Sequence, residues 1–103
     1  MPLTNSQQEE LIRFTQEMVR CPGFSGEEAS TADLVKRQMT RLGFDEVEVD
    51  PVGNIIGTIH GNNSGPTIVF DGHMDVVPVR MPELWEHKPY GAEIFDGKIW
   101  GRG

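Results

Sequence analysis

Apolar residues recur at helical spacing in two stretches near the start of the chain. In the first stretch, the shared face carries Leu11, Phe14, Met18 and Val19. Residues three or four positions apart lie on one side of an α-helix, so this spacing predicts a helix over residues 6–20. Ser6-Gln7-Gln8-Glu9 has the form of a capping box, which predicts the start of that helix. Cys21-Pro22-Gly23 is expected to end it, because proline disfavours helix in the preceding residue.

The second stretch has its apolar face at Ala32, Val35, Met39 and Leu42. Ser25-Gly26-Glu27-Glu28 has the form of another capping box, with the Ser25 hydroxyl predicted to cap the helix. Gly43 is typical of a helix C-terminus, because glycine adopts the left-handed conformation without strain. Both helices are therefore expected to cover a sheet with their apolar faces.

From residue 44 the pattern changes from helical to alternating. Val47 and Val49 alternate with acidic residues, which predicts a half-buried strand. Residues 55–59 form a second predicted strand, antiparallel to the first across a turn at residues 51–54. Gly57, inside the second strand, predicts a bulge or a close approach of another chain segment.

The run Thr67 to Asp71 is apolar and β-branched, and it is followed at once by Gly72, His73, Met74 and Asp75. A short apolar run bounded by turn residues predicts a strand buried on both faces. Polar groups at the carboxyl end of such a strand lie where open α/β sheets bind their ligands. We therefore predict that His73 binds a metal ion and that Asp75 orients its imidazole. The alternative interpretation is a loop histidine beside a helix-capping aspartate, since His-x-Asp is common by chance.

A long irregular segment follows, at residues 78–90. Loops of this length without structure of their own tend to be functional or disordered, and Trp85 and Tyr90 favour an ordered one. After it, Asp96-Gly97 separates two short apolar runs, which is typical of a type I′ hairpin. The order of two helices, a strand pair, a buried strand and a hairpin predicts the first half of a layered α/β domain.

Composition and charge exclude several classes of function. The hydrophobic fraction of 37% and the charged fraction of 24% are typical of soluble globular proteins. The net charge of −7 and the lack of a basic stripe argue against nucleic-acid binding. No apolar run approaches the ~20 residues that cross a bilayer. The first residues lack the features of a signal peptide, so a cytoplasmic location is expected.

Other residues whose side chains could react or bind a metal are interpreted as structural. Cys21 is the single cysteine, so the chain has no internal disulfide, and we expect it to be a partly buried packing residue. His60 at a predicted strand end and His87 in the irregular segment are interpreted as surface residues. The sequence has no glycine-rich phosphate loop, and nothing marks a serine as the nucleophile of a Ser-His-Asp arrangement.

Two sequence blocks together resemble a known family. They are Gly72-His73-Met74-Asp75-Val76-Val77-Pro78 and Asp96-Gly97-Lys98-Ile99-Trp100-Gly101-Arg102-Gly103. Their order and spacing resemble those of the co-catalytic zinc aminoacylases and deacylases, which include acetylornithine deacetylase, succinyl-diaminopimelate desuccinylase, carboxypeptidase G and related dipeptidases. With a weaker likeness in the helices, the resemblance covers essentially the whole chain. It implies an incomplete three-layer α/β/α zinc-peptidase-like domain with two N-terminal helices, a mixed sheet and a C-terminal hairpin.

The resemblance implies roles for two residues of this chain. His73 would be a ligand to one of two zinc ions, for which cobalt can substitute, and Asp75 would be the carboxylate that polarises His73. In that family a bridging aspartate follows the block that ends here at Gly103, and a glutamate pair comes later. A complete enzyme would cleave amide bonds of N-acyl amino acids or small peptides, and a lid domain would allow it to form a homodimer.

We therefore expect residues 1–103 to be the N-terminal part of one catalytic domain, without the rest of that domain and without the lid. Such a chain would be inactive alone, because it carries one metal ligand and the residue that orients it. The alternative is a non-catalytic interaction module or a truncated remnant. Self-association that covers an open sheet edge is a third expectation that the pattern allows.

Overall fold

A computed structural model describes all 103 residues. Its helices are α1 (Asn5–Arg20) and α2 (Ala29–Arg41), with a short 3₁₀ helix at Pro82–Leu84. Its strands are β1 (Glu46–Val49), β2 (Ile55–Thr58), β3 (Glu93–Phe95) and β4 (Lys98–Trp100). This order confirms an α/β chain with two helices and small antiparallel sheets. Neither helix has the length and apolar character that a membrane-spanning segment requires.

The first helix begins at Asn5, one residue before the predicted range of 6–20. Thr4 is its N-cap, and the Thr4 Oγ1 atom accepts a hydrogen bond from the backbone N–H of Gln7 at 3.2 Å. The Gln7 side chain accepts in return from the backbone N–H of Thr4 at 2.9 Å. The predicted capping box at residues 6–9 is therefore wrong, because Thr4 and Gln7 offer the same reciprocal pair two residues earlier.

The second helix begins at Ala29, and its N-cap, Glu28, makes no side-chain capping bond. Gly26 adopts a left-handed conformation, with φ of 85°, between Ser25 and this helix. That turn leaves Ser25 outside the helix, so the prediction that its hydroxyl caps α2 is wrong. The Glu28 side chain instead accepts from the backbone N–H of Gly26 at 2.9 Å.

β1 and β2 pair antiparallel, as predicted, with Glu46 opposite Thr58 and Val49 opposite Ile55. Gly57 is the point of close approach that the sequence indicates. A Cβ atom at this position would lie 2.6 Å from the Phe44 ring and 2.7 Å from the Met39 sulfur. Only glycine leaves room for these side chains, so the end of α2 packs over this strand pair.

β3 and β4 form the predicted hairpin, with Glu93 opposite Trp100 and Phe95 opposite Lys98. Asp96 and Gly97 both have positive φ, of 52° and 69°, as a type I′ turn requires. The first helix holds the base of this hairpin through two long-range contacts. The Gln16 amide donates to the Ala92 carbonyl at 2.9 Å, and the Arg20 guanidinium donates to the Gly91 carbonyl at 3.2 Å.

The predicted buried strand at Thr67–Asp71 does not form in this chain. The segment belongs to no strand and makes no hydrogen bonds, and the residues Ile68, Val69 and Phe70 are 75%, 80% and 95% exposed. A strand forms only when a neighbour supplies donors and acceptors, and no other segment lies beside this one. The expected mixed sheet is therefore replaced by two separate antiparallel pairs and one isolated parallel bridge, Phe24 to Val76.

The chain buries little of its apolar surface. The buried hydrophobic residues are Ala32 and Ala92. The accessible surface is 8412 Å², against about 5,800 Å² for a folded monomer of this mass. The radius of gyration is 16.0 Å, against about 13 Å for a compact domain of this length. The helices and hairpins thus leave apolar faces uncovered.

Candidate metal centre

His73 lies on the segment that follows the exposed run 67–71, with its side chain 84% exposed. Its Nδ1 atom is 2.9 Å from the backbone carbonyl oxygen of Asp75 and 3.0 Å from the Asp75 Oδ1 atom. Both of these oxygens accept hydrogen bonds, so Nδ1 is the donor and carries the proton. This contact selects the tautomer with the proton on Nδ1, in which Nε2 is the nitrogen free to bind a metal.

Asp75 is held from its other side by Ser25. The Ser25 hydroxyl donates to the Asp75 Oδ2 atom at 2.5 Å, while Oδ1 accepts from His73. The hydrogen bond from Ser25, and secondarily the bond and charge of His73, hold the pKa of the Asp75 carboxyl below its ordinary value of 3.8. Asp75 is therefore a carboxylate at neutral pH, as its orienting role requires.

The three side chains do not form a nucleophilic triad. In a Ser-His-Asp triad the histidine must accept the serine proton, so the serine oxygen contacts the imidazole. Here the Ser25 hydroxyl contacts the Asp75 carboxylate instead, on the side away from His73. The arrangement can orient an imidazole, and it cannot deprotonate the serine through that imidazole.

The connection between α1 and α2 supports the His73 segment. The backbone N–H of Val76 donates to the Gly23 carbonyl at 2.8 Å, beside the parallel bridge from Phe24 to Val76. Gly23 itself is buried, and a Cβ atom there would lie 2.8 Å from the Thr31 hydroxyl oxygen. The position of His73 therefore depends on the backbone contact between Gly23 and Val76, which joins two segments distant in sequence.

The two sequence blocks of the resemblance meet in the structure. The backbone N–H of Arg102 donates to the Pro89 carbonyl, and its guanidinium reaches the Val77 carbonyl at 3.5 Å. A Cβ atom at Gly101 would overlap a Val19 methyl group, so glycine allows the last block to pass close to α1. The hairpin end and the segment after His73 thus lie side by side.

The residues around His73 can supply one ligand to a metal ion. Zinc sites in proteins use three or four protein ligands, and a ligating histidine usually donates its other N–H to a carboxylate. His73 and Asp75 have that geometry, but no group of three or more potential ligands occurs in the structure. His73 is therefore the side chain that could hold the metal, and Asp75 is the residue that orients it.

No protein-family model matches the chain. Among curated proteins, the chain is 39% identical over 94 residues to succinyl-diaminopimelate desuccinylase of Cereibacter sphaeroides (strain ATCC 17029 / ATH 2.4.9), a match that covers 89% of this chain and 25% of the relative. It is 37% identical over 97 residues to the uncharacterized protein YgeY of Escherichia coli (strain K12), covering 93% of this chain and 23% of the relative.

A further match is succinyl-diaminopimelate desuccinylase 1 of Ruegeria sp. (strain TM1040), 36% identical over 94 residues. Over most of its own length the chain is therefore similar to these desuccinylases. This confirms the family resemblance that the two sequence blocks carry. The chain spans about a quarter of the length of the curated relatives it matches, at 25% for both desuccinylases.

The other histidines of the chain, His60 and His87, lie apart from His73 in different settings. His60 is exposed, as predicted, with its Nε2 atom 3.2 Å from a Glu46 carboxylate oxygen. His87 is not a surface residue, because its side chain is only 18% exposed. Its ring lies 4.4 Å from the Trp100 ring, and its Nδ1 atom is 2.8 Å from the Glu93 carboxylate. The prediction for His87 was wrong because the hairpin folds back over the irregular segment.

Ser25 is the site residue that the sequence did not reveal. The local pattern Ser25 to Glu28 explained its hydroxyl as a helix cap, so no unexplained donor remained. Gly26 takes the left-handed conformation in the structure and so removes Ser25 from the helix start, but no local signal points from Ser25 to Asp75. Cys21 is half-buried next to Thr31, as predicted for a packing residue.

Proposed function

We propose that the chain is the N-terminal part of the catalytic domain of a metal-dependent hydrolase that cleaves amide bonds of N-acyl amino acids or small peptides. The observation that carries the proposal is the geometry of His73, whose Nδ1 is held by Asp75 and whose Nε2 is open. The relatives named as desuccinylases support an acyl-amide substrate.

In this proposal His73 binds zinc, or cobalt in its place, through Nε2. When bound, a pair of such ions supplies Lewis-acid polarisation of an amide carbonyl and lowers the pKa of a water molecule. The residues of this chain fix the imidazole: Asp75 accepts from Nδ1, keeps the proton on that atom and leaves Nε2 free. The remaining ligands would come from residues beyond this sequence, so the chain alone is expected to be inactive.

The proposal includes a three-layer α/β/α domain. Residues 67–71 support it, because their apolar side chains are exposed and their backbone groups are unpaired. In a complete domain this segment would gain strand neighbours, and the two helices would cover one face of the sheet. The wider proposal also includes a homodimer formed through a lid domain and a cytoplasmic location, which the free thiol of Cys21 fits.

The deciding experiment expresses the gene with whatever coding sequence follows and measures hydrolysis of N-acyl amino acids with zinc or cobalt. His73→Ala is expected to lower kcat/KM at least 100-fold, because a first ligand is lost. His60→Ala is the matched control, since His60 is another exposed histidine beside a carboxylate. Full activity in His73→Ala with native folding would remove His73 from the metal site.

One observation favours the alternative of a non-catalytic module: the chain gathers no group of three potential metal ligands. The alternative predicts that the product of the longer gene hydrolyses no acyl amide with either metal. It also predicts that the 103-residue chain binds zinc no better than a surface histidine does. Tight, stoichiometric zinc uptake in a calorimetric titration of this chain would contradict it.

A further inference from the structure

Ser25 makes the one side-chain hydrogen bond that reaches the His73–Asp75 pair from another part of the chain. Its hydroxyl donates to Asp75 Oδ2 at 2.5 Å across 50 positions of sequence. His73 and Asp75 lie two residues apart on one exposed segment, so their own hydrogen bond fixes neither of them relative to the fold. Only a donor on a different element can anchor the carboxylate.

The segment that carries Ser25 is itself firmly held. The Thr31 hydroxyl, in a residue that is 2% exposed, donates to the Cys21 carbonyl at 2.9 Å. The Gly23 carbonyl accepts from Val76 at 2.8 Å, and a Cβ atom at Gly23 would lie 3.1 Å from the Glu28 backbone. These contacts connect the start of α2 to the segment that follows Asp75, so the Ser25 hydroxyl projects from a fixed support.

The two oxygens of the Asp75 carboxylate are divided between two donors. Oδ2 accepts from Ser25 and Oδ1 accepts from His73 Nδ1. A carboxylate with one donor can rotate about its Cβ–Cγ bond, whereas two donors on opposite oxygens fix its plane. The plane of the carboxylate in turn decides where Oδ1 meets the imidazole.

We propose that Ser25 is a positioning residue, which holds the Asp75 carboxylate so that His73 keeps its proton on Nδ1 and offers Nε2 to a metal. The inference rests on the proposed metal-binding role of His73. It goes beyond that role, because it assigns the orientation of the histidine to a residue of the helix connection. Mutation of a residue that orients a metal ligand commonly weakens metal binding by about 10- to 100-fold. For the loss of a single hydroxyl we expect the lower value, about 10-fold.

The first test is the tautomer of His73 in the metal-free 103-residue chain, measured from imidazole ¹⁵N chemical shifts at about pH 8.5, where an ordinary imidazole is neutral. Ser25→Ala is expected to lower the ratio of the Nδ1–H to the Nε2–H form about fivefold, the equivalent of one ordinary hydrogen bond. Ser25→Thr keeps the hydroxyl and is expected to restore the ratio. Ser64→Ala, in an exposed loop, is the matched control.

An unchanged tautomer ratio in Ser25→Ala, with the amide spectrum of α2 intact, would overturn the inference. The inference would also be overturned if Ser25→Thr changed the tautomer ratio as much as Ser25→Ala does, because the hydroxyl would then be irrelevant. The second test is zinc affinity of the longer gene product by chelator competition, where Ser25→Ala is expected to bind about 10-fold more weakly. If His73→Ala leaves zinc binding intact while Ser25→Ala shifts the tautomer, the proposed function fails and the positioning contact stands.

Discussion

At the scale of single residues, Asp50 shows how one carboxylate organises a turn. Its Oδ1 atom accepts from the backbone N–H groups of Val52 and Asn54, at 3.0 and 2.9 Å. Its Oδ2 atom accepts from the Asn54 side chain at 2.7 Å. The Asn54 side chain, followed by the Asn54 backbone, lowers the pKa of the Asp50 carboxyl below 3.8. This cluster closes the turn between β1 and β2.

We expect Asn54→Ala to raise the pKa of Asp50 towards 3.8, because the largest cause of the lowering is removed. The measurement is a pH titration of the Asp50 carboxyl carbon by NMR. Asn62→Ala, in an exposed loop, is the control and should leave the titration where it is. A titration of Asp50 that is the same in wild type and Asn54→Ala would show that this contact is not formed in solution.

The lowered pKa of Asp50 also makes the stability of the fold depend on pH. A carboxyl whose pKa is lowered on folding contributes stability above its unfolded value, here 3.8. That contribution is lost as the pH falls through the lower folded value. The difference in thermal stability between wild type and Asn54→Ala should therefore be constant near neutral pH and shrink below about pH 4.

His73, Asp75 and Ser25 illustrate what single residues disclose in sequence. His73 and Asp75 are close neighbours in the chain, and the structure joins them by the hydrogen bond that their spacing suggested. Their metal-binding role stays a prediction. Ser25 belongs to the same cluster, but its local pattern had a complete explanation as a helix cap. A contact across 50 positions leaves no local signature.

At the scale of elements, the β3–β4 hairpin depends on a turn that only a few residues can form. Gly97 has φ of 69°, in the left-handed region that costs most residues about 1–2 kcal/mol. Asp96 also lies in that region, where aspartate is better tolerated than most residues. The hairpin was predictable because the dipeptide Asp96-Gly97 by itself selects the turn type.

Gly97→Ala is therefore expected to lower the free energy of unfolding by about 1 kcal/mol. Urea unfolding followed by tryptophan fluorescence measures it, since Trp100 lies in β4. Gly65→Ala is the matched control: Gly65 has no positive φ, and a Cβ atom there would meet nothing within 4 Å. Equal stability of the two variants would show that the turn contributes nothing to folding.

The helices and the first strand pair were predictable for a similar reason, because their periods are local. The helix starts were less accurate. The Thr4–Gln7 pair displaced the box at residues 6–9, and Gly26 removed Ser25 from α2. At α1 both Thr4 and Ser6 could cap the helix and the backbone conformation selected Thr4, whereas α2 begins without a side-chain cap.

At the scale of the whole molecule, the chain is open. Its accessible surface and radius of gyration both exceed those of a compact domain of its size, and its apolar segment 68–70 lies against solvent. Large exposed apolar segments usually mark surfaces that another segment or partner covers. The chain that exposes this apolar segment spans about a quarter, 25%, of the length of its desuccinylase relative.

The openness predicts a sharp contrast in amide hydrogen exchange. The amides of residues 68–70 have no hydrogen-bond partner and should exchange near the intrinsic rate. The amides that pair β1 with β2 should exchange more slowly, and they serve as the internal reference. Mass-spectrometric or NMR exchange on the 103-residue chain measures both sets.

Slow exchange at residues 68–70 that is independent of protein concentration would contradict the open arrangement. Slow exchange that strengthens with concentration would instead show that a second copy pairs with this segment. Sedimentation at the same concentrations separates these outcomes, because only the second one changes the mass of the particle.

The sequence by itself determined the local features: the two helices, the first strand pair, the type I′ hairpin and the pairing of His73 with Asp75. Each of these depends on residues of one element or of two elements joined by a short turn, so short-range periodicity and turn chemistry are sufficient. Only the tertiary structure decided that Ser25 anchors Asp75 and that residues 67–71 are unpaired. Both outcomes depend on distant segments being present or absent beside a residue, because hydrogen-bond partners across a fold are not encoded in the pattern of either partner alone.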